Sequence, residues 1–318
     1  MTEETPQYTD PVLLQPMPPL SFVERYGIHP ILFVFLSLLF IFFLYQGLGN
    51  IITLLIFGID LKKANITGLR VITGVGQILF ILVPTFFLAR LASLEPLAFM
   101  RIRKPNPLAI IHALVGVFSL QQLLQVYLYV QDKLPLPPII RQAEQQLKDI
   151  YEQTLTLLVG SHSVPELLFV ILIIAVIPAI AEEFFFRGVI QRSLEKGLNP
   201  VYGYVVTGII FGMYHLNPFA LVPLAVLGIY LGFLANKSDS IWVSSVAHFF
   251  NNALACLAAY FHIDDTAIGT TDPEFMNPRE MFLWFIIMAA IFSASTYMFL
   301  KVTNPKKHDD EPMNNSLV

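Results

Sequence analysis

Residues 165–188 read PELLFVILIIAVIPAIAEEFFFRG. From Leu167 to Ala181 the run carries no charge; Glu182 and Glu183 follow, then three phenylalanines and Arg187. About twenty apolar residues suffice to cross a bilayer as a helix. An acid at the end of such a run is costly in hydrocarbon, and so marks a candidate functional site. On a helix, Glu183 and Arg187 stand at i and i+4 on one face, the spacing of an intrahelical ion pair. Glu182 is turned about 100° away, onto another face.

The rest of the chain has the same character. It has 318 residues, of which 55% are hydrophobic and 13% charged, and its mean hydropathy is +0.65. A soluble domain usually carries about a quarter charged residues. The fold class expected is an all-α polytopic membrane protein of about eight transmembrane helices. The runs fall at roughly 30–58, 71–93, 108–130, 165–196, 200–216, 219–235, 241–261 and 281–301. Residues 1–28 are acidic and proline-rich and read as an extended tail; the first apolar run is too long for the core of a signal peptide. Residues 29–164 hold the first three spans and an extramembrane segment, 131–164. That segment has Ile140, Leu147, Ile150, Tyr151, Leu155 and Leu158 at helical spacing, which fits a helix lying on the membrane surface or an ordinary packing helix. Residues 165–261 form the core, and 262–318 a last helix and polar tail. Gly228 and Gly232 suit close helix packing. With both termini inside, the inner segments hold twelve Lys and Arg and the outer ones seven, so the charge bias favours cytoplasmic termini. Net charge is −4, with no basic block to suggest nucleic acid. The only cysteine, Cys256, excludes an intrachain disulfide or a cysteine-based metal site and reads as a packing residue.

Three later polar residues answer Glu182. His215 ends the fifth run, and His248 and Asn252 stand at i and i+4 on the seventh. Counting about 1.5 Å per residue, Glu182, His215 and Asn252 lie roughly 18–22 Å from the inner turns and His248 roughly 12–14 Å. Convergence at one depth predicts an intramembrane polar cavity. A carboxylate and an imidazole facing a water can take its proton. A second imidazole and an amide N–H can stabilise the resulting oxyanion. Together they suffice for hydrolysing a peptide bond without a covalent intermediate.

The motifs EExxxR (Glu182, Glu183, Arg187), FxxxH (Phe211, His215) and HxxxN (His248, Asn252), in this order on successive spans, resemble the CPBP family. This family comprises the CAAX proteases and bacteriocin-processing or immunity proteins, also called Abi. The resemblance covers about 165–260. It implies an eight-helix intramembrane endopeptidase, with Glu182 and His215 activating water and His248 and Asn252 stabilising the oxyanion. Glu183 and Arg187 would orient the site, and Phe211 would pack beside His215. The implied mechanism depends on glutamate and needs no cofactor. If a metal were held, it would be zinc on Glu182, His215 and His248. The implied partners are membrane lipids and a peptide or membrane-protein substrate, with lipidation of that substrate left open. The implied location is multi-pass in a membrane, the plasma membrane in a bacterium. Two alternatives stand beside this reading. A proton- or ion-coupled transporter would use the same buried groups as a relay. A non-catalytic immunity or partner protein would keep only the fold.

Overall fold

Within a bilayer the backbone must satisfy its own hydrogen bonds, and long apolar runs do so as helices. The computed structural model describes residues 19–59, 64–262 and 277–303, and every regular element among them is helical. Seven helices are long and apolar enough to span: α1 (Pro30–Phe57), α2 (Ile66–Ala92), α3 (Pro107–Asp132), α5 (Val164–Gly197), α7 (Leu221–Ser238), α8 (Ile241–Tyr260) and α9 (Pro278–Thr303). Between them lie α4 (Pro138–Val159) and α6 (Pro200–Tyr214). The eight expected runs are all helical, but the fifth, α6, has only 15 residues and is shorter than a usual span.

Local sequence sets the helix starts. His29, Asn106 and Asn199 each accept a backbone N–H in the first turn, and each is followed by proline at the helix start. A cap followed by proline suits a helix N-terminus, where the missing N–H has no partner to lose. The expected extended tail needs correction over its described end: Phe22–Arg25 forms a helical turn, closed by reciprocal bonds between Ser21 and Glu24. The proline-rich part, 1–18, lies outside the described residues, as do most of the 262–280 link, Lys62, Lys63 and the tail after 303.

The bundle is organised around α5, which packs against α1, α2, α6 and α8. Its Phe184, Phe185, Phe186, Val189 and Ile190 are buried in the main core with residues of those helices. Helix α5 is not regular throughout. Leu172–Val176 and Phe184–Gln191 wind as wider π turns, and α1 and α2 have π turns at Phe43–Gly49 and Ile78–Leu82. Such turns often mark functional sites. Helices α6 and α7 meet through glycine: a methyl on Gly228 would come within 2.9 Å of the Gly208 carbonyl oxygen. The close packing expected of Gly228 and Gly232 is thus present.

At the end of α5 a polar cluster centred on Glu195 ties the helices together. Glu195 receives Arg101 at 2.9 Å, Arg192 at 2.6 Å, Gln191 at 2.9 Å and Asn236 at 2.8 Å. Arg101 also pairs with Asp239 at 3.0 Å. Arg192 also donates to the Phe99 carbonyl.

Helix α4 is the helix expected in 131–164. It leaves Ile140, Ile150 and Tyr151 outward and is held at both ends. Buried Glu144 pairs with Arg141 and Lys148, and Lys148 reaches Asp132 at 2.6 Å. Arg70 of α2 is buried and caps the other end, donating to the Leu157, Leu158 and Gly160 carbonyls and pairing with Glu166 at 2.8 Å.

Candidate active site

The two adjacent glutamates on α5 have opposite environments. Glu183 is fully buried; its Oε1 meets Arg187 Nη1 at 2.7 Å and His248 Nδ1 at 3.0 Å. Arg187 also donates to the Gly228 carbonyl at 2.9 Å and lies over the Phe211 ring, 4.6 Å from its centre. The Glu183–Arg187 pair read from the sequence is therefore present, and it gains a third member. His248 comes from α8, and no spacing within one helix could have disclosed its partner. Glu182 is half-buried, and its Oε2 is buried without a hydrogen-bond partner in the protein.

Glu182 has an unforeseen neighbour. The Tyr45 phenol on the π turn of α1 is close enough to feel its charge. Buried Gln77 of α2 donates to the Tyr45 oxygen at 3.4 Å, while its own Oε1 has no partner. A glutamine and a tyrosine inside apolar runs were the available signal; lacking any spacing relation to the glutamates, they were not singled out.

His215 is the last residue of the α6 helical path and is exposed. Its Nδ1 lies 2.9 Å from the Phe211 carbonyl oxygen. A carbonyl can only accept, so Nδ1 carries the proton and Nε2 of the neutral ring keeps a lone pair. Phe211 stands between the two imidazoles, with ring centres 4.7 Å from His215 and 5.8 Å from His248. The expected packing of Phe211 beside His215 is observed, and the same ring also spaces His248.

Asn252 donates through Nδ2 to the Ile174 carbonyl at 3.3 Å and accepts from Asn251 Nδ2 at 3.2 Å. The Ile174 carbonyl lies in the first π turn of α5, so the asparagine bridges α8 to the helix of the glutamates. One N–H of its amide remains for another acceptor. Asn251 Oδ1 has no partner. Cys256 is buried beside Val159, Leu167 and Val170, a packing residue as expected.

The structure thus joins Glu183, Arg187 and His248 directly, sets His215 across Phe211 from His248, and ties Asn252 to α5. Among the described residues, no three His, Cys, Asp or Glu side chains are grouped to hold a metal ion, and the carboxylate that meets His248 is Glu183.

No curated protein and no solved structure matches the chain. Residues 164–254 match the family model described as Type II CAAX prenyl endopeptidase Rce1-like. The matched stretch runs from the start of α5 through the two asparagines of α8 and includes all three motifs. Among the described residues, all regular elements are helical and seven helices are of spanning length, and within that frame this match bears out the resemblance carried by those motifs.

Proposed function

We propose that the chain hydrolyses a peptide bond with a water activated by Glu182 and His215, while His248 and Asn252 receive the oxyanion. One observation carries this reading. Both neighbouring carboxylates keep one buried oxygen without a protein partner, but Glu183 is held through its other oxygen by Arg187 and His248, whereas the Glu182 side chain makes no hydrogen bond to the described residues. A buried polar atom without a partner is costly and calls for a reason. A role in taking a proton supplies one.

The tautomers fit these roles. His215, with its proton on Nδ1, presents the Nε2 lone pair to water. His248 gives Nδ1–H to Glu183, so a second proton makes Nε2–H a donor to the oxyanion. Asn252 adds its remaining N–H. The water loses a proton to Glu182 or His215, and its oxygen bonds to the carbonyl carbon. The oxyanion then collapses, the C–N bond breaks, and the held proton passes to the leaving nitrogen. Arg187 and Glu183 position His248 without touching the reacting atoms.

The test compares membrane proteomes of cells carrying wild type or Glu182→Gln. The expected result is one or more polypeptides cut only with the wild type, reproduced by the purified protein after treatment with a chelator. Equal cutting by purified, folded Glu182→Gln would overturn the proposal.

A further inference from the structure

A cavity of about 1170 Å³ lies beyond Asn251, bounded by α2, α3, α4, the start of α5 and the far half of α8. Neither glutamate of the EExxxR motif is in its wall, nor is either motif histidine. Pockets for drug-sized molecules run to roughly 1,000 Å³, so this space suits something longer.

Its wall mixes amides with apolar surface. Gln121 and Gln125 stand one turn apart on α3, Asn251 faces in from α8, and Phe118, Leu155 and Ala255 supply apolar surface. Primary amides both donate and accept, as a peptide backbone does. The charges in the wall are already used, because Arg70 is bound to Glu166 and to three carbonyls of the α4 end. His162 and His262 are the other titratable groups lining it. A charged occupant would therefore lose water without gaining a free counter-ion. The same Arg70 contacts fix the end of α4 that lines the cavity, so the chamber is preformed.

Two features connect the cavity to the glutamate site. Asn251 donates to Asn252 at 3.2 Å, while its own Oδ1 is buried without a partner. From Asn251 the wall continues along α8 through Ala255, Ala258 and Ala259. The eight steps from Asn251 to Ala259 rise about 12 Å, the length of about four residues of extended chain.

Resting on the peptidase reading, we propose that this cavity is the subsite for one side of the substrate. It takes an uncharged, extended polypeptide segment of about four residues, hydrogen-bonded by Gln121, Gln125 and Asn251 and leading to Asn252.

The experiment needs no turnover. Glu182→Gln protein in lipid nanodiscs is irradiated with an acetylated, amidated peptide of alternating alanine and serine bearing a central benzophenone. Label is expected on 118–128 and 251–262. It should fall about tenfold when two serines of the probe become aspartates, equivalent to about 1.4 kcal/mol. Ala255→Trp, which fills the chamber, should abolish the label; Gln125→Leu, which keeps its shape, should weaken it. Label elsewhere, equal labelling by the aspartate probe, or displacement by a photoactivatable isoprenoid but not by unlabelled peptide would each overturn the proposal. A protein that labels as expected but never cleaves would sink the peptidase reading and leave the chamber standing. Undiminished cleavage by Ala255→Trp would do the reverse.

Discussion

Helix α5 carries carboxylates in two contrasting settings. Near its end, Glu195 is surrounded by two arginines and two amides, all within 3.1 Å. Three turns earlier, Glu182 has a buried oxygen with no partner, and Glu183, Arg187 and Asn251 each keep one unsatisfied atom. A carboxylate so surrounded has no valence left to offer a substrate, so its work is to hold α5, α7 and the 93–106 link together. An unsaturated one weakens the fold and leaves groups for chemistry. Stability and function are thus separated along a single helix.

Four substitutions test that separation. Glu182→Gln should cut the rate of proteolysis about 10²–10⁴-fold, the usual scale of a general base, with thermal unfolding little changed. Arg187→Met strands buried Glu183 and should destabilise by about 3–5 kcal/mol; its loss of activity should follow the loss of His248 orientation, seen as a changed imidazole resonance in any folded fraction. Glu195→Gln should cost about 3 kcal/mol by leaving Arg192 without a carboxylate and Arg101 with Asp239 alone, while the protein that remains folded cleaves at the wild-type rate. Reduced cleavage per folded molecule would erase the contrast. Lys148→Ala removes a partly exposed pair on α4 and should change stability by less than about 1 kcal/mol, read from a denaturation midpoint.

Much of this was legible from hydropathy and spacing. Every apolar run became a helix because a bilayer leaves the backbone no other economical state, and Glu183–Arg187 paired because both sit on one face of one helix. The links between helices were not legible. His248 meets Glu183 across 65 residues of sequence, and Arg101 meets Glu195 across 94. Arg101 and Asp239 looked like ordinary residues of a basic link and a turn. Only the crossing of α5, α7 and the link at one end turns them into a cluster. The π turns were equally hidden, since composition does not reveal which carbonyl an N–H selects.

Those π turns have a mechanical consequence. The wide winding at Phe184–Gln191 lies between the carboxylates and the Glu195 anchor, so it works like a threaded coupling whose pitch sets the angle between the two ends. Inserting one further residue there at ordinary α pitch would swing Glu182 and Glu183 by about 100° against a stationary anchor. Such a protein would be assembled but mis-aimed, with its acids presented to lipid.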